Sequence, residues 1–167
     1  MRIADTVQDS IVDGPGFRFT VFTQGCPHGC KGCHNPATHD SAGGREITVD
    51  SLMALVKSNP LLDGVTLSGG EPFCQAAECA DLAERVHAMG LNVWSYTGYT
   101  IEYLLKENDP DRMRLLHAVD VLVDGPFILS QRSLSFLWRG SLNQRLINVK
   151  ETFKAGQLVF WEQLKYI

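Results

Sequence analysis

Phe17-Arg18-Phe19-Thr20-Val21-Phe22-Thr23-Gln24-Gly25-Cys26-Pro27-His28-Gly29-Cys30-Lys31-Gly32-Cys33 is the stretch on which the reading of this chain turns. Residues 17–23 alternate and are rich in aromatic and β-branched side chains, the pattern of a core strand. Residues 26–33 carry three thiols spaced C-x₃-C-x₂-C, so a cysteine loop follows directly on a strand's carboxyl end. A metal that needs four thiolates finds only three here, and one coordination position is left for another ligand.

Working outward, Asp13-Gly14-Pro15-Gly16 reads as a turn, because Gly permits positive φ and Pro presets the turn angle. Residues 25–46 are dense in Gly, Pro, His, Asn and Asp without a hydrophobic period. They predict a long loop, and long loops inside a compact domain are usually functional. Thr48 is an N-cap for a helix with Val49, Leu52, Met53 and Val56 on one face and Pro60 beyond its end. Residues 64–68 form a buried-type strand that runs into Gly69-Gly70-Glu71-Pro72. A helix is expected over 75–89, with Cys79, Leu82, Ala83, Val86 and Met89 at helical spacing and Gly90 as its stop.

A strand over 91–96 ends at Thr97-Gly98; helices follow at 100–107 and 112–117, with Pro110 between them. The next strand, 119–123, ends in Asp124-Gly125-Pro126. Beyond Leu129 the pattern gives a strand at 146–149, and 157–161 reads as another strand or part of a helix. Strand and helix in regular succession imply parallel pairing with right-handed crossovers, and the turns after the strands then share one rim. The fold class is α/β, an incomplete parallel βα barrel in a single domain, 1–167, with a C-terminal extension over about 150–167. At 167 residues the chain is too short for the roughly 250 of a complete eight-unit barrel. Some five βα units would leave one side open.

The whole-chain properties narrow the class. Hydrophobic residues make up 44% and charged residues 20%, with no apolar run near the ~18 residues of a membrane span and no secretory signal. The net charge is −4 and Lys and Arg are scattered, which argues against nucleic acid and membrane partners. Five cysteines, three of them within eight residues, do not suit a disulfide framework; they point to metal or redox use in a reducing, cytoplasmic setting. Spacing alone leaves the metal open between an iron–sulfur cluster and zinc with His28 or His34 as fourth ligand. Gly69-Gly70-Glu71-Pro72 is either a plain strand-to-helix turn or a place where backbone edges approach a ligand while Glu71 closes a charge pair or fixes the turn. Cys74 and Cys79 read as packing residues.

C-x₃-C-x₂-C followed by Gly-Gly-Glu-Pro at a strand end resembles the radical S-adenosylmethionine superfamily. Asp13-Gly14-Pro15-Gly16-x-Arg18 and Cys33-His34-Asn35 resemble the activases of glycyl-radical enzymes within it. Trp94-Ser95-Tyr96-Thr97-Gly98-Tyr99, Val121-Leu122-Val123-Asp124-Gly125 and Trp138-Arg139-Gly140-Ser141-x-Asn143-Gln144 are similar to the activases of anaerobic ribonucleoside-triphosphate reductase. The similarity covers about residues 8 to 149.

The resemblance implies a βα barrel with a 4Fe-4S cluster at its mouth, held by Cys26, Cys30 and Cys33 as the catalytic and metal-binding residues. S-adenosyl-L-methionine would be bordered by Gly32, Cys33 and His34 and met by the Gly69-Gly70-Glu71 turn. His34 would replace an aromatic that many superfamily members carry where Gly32 stands. Thr97 either touches the ribose or belongs only to a turn. Asp124 is a turn residue or faces the site, and Trp138 and Arg139 face a partner or form a core Trp beside a solvated Arg. The implied activity is formation of a 5′-deoxyadenosyl radical that oxidises a glycine in a loop of the reductase, with a flavodoxin or ferredoxin type reductant. Alternatives are an activase of a formate-lyase type enzyme, a radical enzyme acting on RNA or a metabolite, and a non-catalytic zinc-binding module.

Overall fold

The computed structural model describes residues 1–161. Among them seven strands form one sheet: β1 (Arg2–Ser10), β2 (Arg18–Thr23), β3 (Arg45–Glu46), β4 (Gly64–Gly69), β5 (Asn92–Tyr96), β6 (Val121–Asp124) and β7 (Arg145–Asn148). Their order is β3-β1-β2-β4-β5-β6-β7. β2, β4, β5 and β6 are mutually parallel, whereas β1, β3 and β7 pair antiparallel at the flanks. The helices are α1 (Val49–Ser58), α2 (Ala76–His87), α3 (Ile101–Glu107), α4 (Pro110–His117) and α5 (Val149–Ala155).

The wholly parallel array expected from the succession of elements is therefore corrected to a mixed sheet, with three helical crossovers in place of five units. No barrel closes among the described residues, since β3 and β7 end the order. β1 escaped the sequence reading because Asp5, Val7, Gln8 and Asp9 are all exposed, which leaves no clean alternation. The direction of β7 was equally hidden. Its connection from β6 holds only the 3₁₀ turn Leu129–Gln131, and antiparallel neighbours need no crossover helix. Residues 159–161 then line the outer edge of β7, where Asn148 N donates to Val159 O and Trp161 N to Leu146 O. Residues 162–167 of the expected C-terminal extension lie outside the described residues.

Local chemistry explains the helix boundaries. Thr48 Oγ1 accepts from Ser51 N, and Thr100 Oγ1 from Tyr103 N. Asp109 caps α4 through Arg112 N, and Pro110 is that helix's first residue rather than a spacer, because its missing N–H costs nothing there. α2 stops at His87, short of the expected end. Met89 lies beyond it, 40% exposed, and is not on its apolar face. Cys79 is fully buried as expected, but Cys74, in the 3₁₀ turn Pro72–Gln75, is exposed and is not a packing residue.

The alternation of β2 divides the sheet's faces. Phe19 and Val21 join Val65, Leu67, Val93 and Leu122 in the core beneath the helices. The opposite face presents Thr20, Phe22, Thr66, Ser68, Trp94, Tyr96, Val121 and Val123 and carries no helices; Trp94, Val121 and Val123 form a smaller apolar cluster there, with Trp138, Leu146 and Trp161 packed against it. Arg18 anchors its lower end although fully buried. Nε donates to Thr66 Oγ1 (2.6 Å), Nη2 to Val65 O (2.7 Å) and Nη1 to Asn92 Oδ1 (2.9 Å), and the guanidinium lies over Trp94. Desolvation by burial lowers its pKa to about 10. The guanidinium thus joins β2, β4 and β5 on the face opposite the helices.

Arg18→Leu strands these acceptors in the interior, which is expected to cost about 3 kcal/mol of stability. Denaturant unfolding checks this, the expected signature being a lower midpoint at an unchanged slope.

Candidate functional site

Parallel register brings the carboxyl ends of the central strands together. Thr23 pairs with Gly69, and Tyr96 with Val123, so the turns after them share one rim, as the sequence predicts. The long loop after β2 is folded back on its own start. Gly25 N donates to Thr38 O and Cys26 N to His39 O, while Gln24 Nε2 donates to Ala37 O and Asp40 O. Gln75 Nε2 donates to both Gln24 O and Arg2 O. Neither glutamine carried a sequence signal, because each acts only on backbone that is distant in the chain.

The Gly69-Gly70 turn presses against this loop. Gly70 N donates to Thr23 O (2.8 Å) and Glu71 N to Gly25 O (2.9 Å). A Cβ on Gly70 would lie 2.4 Å from Gly25 O. Glycine is needed here for the close approach of the protein's own backbone. Glu71 is fully buried: Oε1 accepts from Phe73 N (3.0 Å), and Oε2 accepts from Gly98 N (2.8 Å) and from His28 Nε2 (2.6 Å). One carboxylate thus fixes its own turn, the turn after β5 and the cysteine loop. Gly98 makes room for this arrangement, since a Cβ there would stand 2.3 Å from the His28 ring.

Above the helix-free face of the sheet opens a cleft of about 710 Å³. Cys26, Cys30, Cys33, His34, Gly69, Gly70 and Thr97 all line it. Glu71, Gly32 and Asp124 do not. Glu71 is behind the wall, and Gly32, at φ +75°, is exposed outside it, with Leu129 Cδ1 2.9 Å from where a Cβ would be. Thr97 Oγ1 accepts from Tyr99 N (3.1 Å), forming a local turn at the cleft's edge. Asp124 is turned away from the cleft. It accepts from Ile101 N and pairs with Arg145. Ser133, Leu134, Phe136, Trp138 and Arg139, from the excursion between β6 and β7, form the facing wall.

That excursion contributes Phe127, which the sequence reading passed over, beside the singled-out Trp138, Arg139 and Gln144. Phe127 tilts against His34 at 5.0 Å between ring centroids. Gln144 Oε1 accepts from Gly140 N and Ser141 N, and its Nε2 donates to Gly125 O. Trp138, in the left-handed region at φ +60°, stacks edge-on with Trp94 and Trp161, and its carbonyl accepts from the Tyr96 hydroxyl (2.9 Å). Arg139 stands over Phe136 and donates to Gln144 O. Trp138 and Arg139 thus shape the wall.

The donor set suits a cluster. All three thiols are free, and Asn35 N donates to Cys33 Sγ (3.3 Å), a hydrogen bond of the kind that tunes thiolate-bound iron. Among the described residues no three His, Cys, Asp or Glu side chains converge on a point where one ion would bind. His28, a fourth-ligand candidate for zinc, has its Nε2 committed to Glu71.

Burial is the main cause that raises the Cys26 thiol to about 11, followed, on the same side, by the charges of Glu71, Cys30 and Cys33; only the backbone amide of His28 opposes it. The metal-free protein thus holds Cys26 protonated at neutral pH, and metal binding must release that proton. The folded value exceeds the ordinary 9.0, so the unfolded chain ionises first as pH rises. The Cys26 contribution to the stability of the metal-free chain is expected to be constant below about pH 9 and to fall between about 9 and 11. Melting of the metal-free chain and of Cys26→Ala across this range tests the point, with a shallower fall expected in the variant. In Gly70→Ala the new methyl has only backbone to displace, so a loss of about 1–3 kcal/mol and a displaced cysteine loop are expected, read by unfolding and by iron content after anaerobic reconstitution.

Residues 12–147 match the model of a family described as a 4Fe-4S single cluster domain. Three relatives carry the same name, anaerobic ribonucleoside-triphosphate reductase-activating protein. That of Vibrio cholerae is 40% identical over 142 residues, covering 80% of this chain and 89% of the relative. The Escherichia coli K12 protein is 35% identical over 144 residues, with 80% and 90% covered. The protein of the bacteriophage T4 is 35% identical over 141 residues, with 81% and 86% covered. The matched span holds the cysteine loop, the Gly-Gly-Glu turn and the wall that faces them, and this chain belongs to the radical S-adenosylmethionine family of anaerobic ribonucleoside-triphosphate reductase-activating proteins.

Proposed function

We propose that this protein cleaves S-adenosylmethionine reductively and uses the product to place a radical on a glycine of an anaerobic ribonucleoside-triphosphate reductase. The observation that carries the reading is that three thiols, the Gly69-Gly70 turn and the Thr97-Gly98 turn line one cleft whose far wall belongs to a different part of the chain. A bound 4Fe-4S cluster would supply one electron to the sulfonium, giving methionine and a 5′-deoxyadenosyl radical that takes a hydrogen atom from the glycine Cα.

The protein's own residues bind, orient and exclude. Cys26, Cys30 and Cys33 would hold the cluster as thiolates, beside the S-adenosylmethionine on which it acts. Cys33 and His34 border that ligand with Gly69 and Gly70 at its methionine end, and Thr97 borders the ribose. Glu71 acts from behind the wall, and Gly32 supplies the left-handed turn before Cys33. His34 tilted against Phe127 offers the flat apolar surface that an adenine takes. The side facing residues 133–139 admits a polypeptide loop. Among the described residues no helix is long and apolar enough to cross a membrane. We place the protein, as one domain, in the cytoplasm beside a flavodoxin or ferredoxin type reductant, with no role for nucleic acid or lipid.

Oxygen-free reconstitution with iron and sulfide, followed by S-adenosylmethionine, a reductant and the reductase, is expected to yield 5′-deoxyadenosine and a glycyl doublet in electron paramagnetic resonance. Cys26→Ala, Cys30→Ala and Cys33→Ala should each abolish both. Zinc with no iron in the anaerobically purified protein would overturn the chemistry, and a doublet appearing only with a formate-lyase type enzyme would overturn the partner.

A further inference from the structure

The most constrained side chain near the cleft forms none of its wall. Glu71 is fully buried with both oxygens engaged, and its link to the cysteines runs through His28. His28 stands two residues from Cys26 and two from Cys30. Its ring is confined on three sides: by the carboxylate at Nε2, by the Tyr99 ring edge-on at 4.6 Å, and by Gly98, which has no room for a Cβ. The segment that links the two cysteines is thereby held at its midpoint as well as its ends.

We propose that the Glu71–His28 pair is a positioning device for the cluster: by holding the link between Cys26 and Cys30 in one conformation it sets where their sulfurs stand. The donor at His28 Nε2 also offsets a carboxylate buried beside those sulfurs. Outer partners that orient metal ligands are typically worth 10–100-fold in metal affinity or activity. Here the partner acts on the chain between two ligands instead of on a ligand itself. The inference rests on the assignment of the three cysteines as cluster ligands.

His28→Leu removes the donor at similar volume, and His28→Gln restores an N–H near the position of Nε2. In reconstituted His28→Leu, iron is expected to pass to a chelator about tenfold faster than in the unaltered protein. The cluster's midpoint potential is expected to fall, because the carboxylate is no longer offset; a tenfold change in the reduced-to-oxidised ratio is about 59 mV for one electron. His28→Gln should recover both values. A merely structural role would lower the melting temperature of the metal-free variants yet leave the potential of the loaded cluster unmoved. That result, or a His28→Gln variant no better than His28→Leu, would overturn the inference. Should His28→Leu retain no cluster at all, the iron content of His28→Gln decides in the same sense. An unaltered protein that takes up no iron would instead sink the cluster reading beneath it.

Discussion

The site depends on one buried carboxylate. Glu71 accepts from Phe73 N, Gly98 N and His28 Nε2, and so binds together three turns that follow three different strands. An isolated charge in that position would be prohibitively unfavourable. Three donors offset its desolvation, and each comes from a segment that must be correctly placed. The carboxylate therefore couples the order of the rim to the order of the sheet beneath it. Its neighbours are glycines for the same reason: Gly70 and Gly98 let backbone and imidazole approach to distances a methyl would forbid.

The sheet provides a rim of this kind because its two faces differ. Helices cover the face built from Phe19, Val21, Val65, Leu67 and Leu122. The other face keeps Thr20, Thr66 and Ser68 buried without a helical layer, and the cleft occupies the space above it. Parallel strands ordinarily bury both faces under helices. Antiparallel β1 and β7 at the flanks, and the excursion before β7, enclose that space in their stead. Arg18 holds the lower end of the helix-free face through hydrogen bonds where a conventional core would use apolar contact.

The chemistry was legible because it is local. Three thiols within eight residues, a Gly-Gly-Glu turn and Thr97-Gly98 each announce themselves over a few positions, and strand-to-helix alternation sends them to one rim. What stayed hidden was non-local or backbone-directed. β1 exposes Asp5, Val7, Gln8 and Asp9 without a clean alternation, so its place in the sheet is fixed by pairing with β2 and not by its own pattern. Gln24 and Gln75 act on carbonyls and amides, for which no residue-type signal exists. Asp124 has the sequence context of a site residue, and only the position of Arg145, which follows from the antiparallel return of β7, shows that it is a strut.

The wall facing the cysteines is a single excursion of the chain, tied at its base by Gln144 and at Trp138 by the Tyr96 hydroxyl. Its tip carries Leu134, 87% exposed, and touches no part of the rim's hydrogen-bond system. Side chains at this tip can therefore vary without disturbing the hydrogen bonds that hold the cysteine loop to the Gly70 and Gly98 turns.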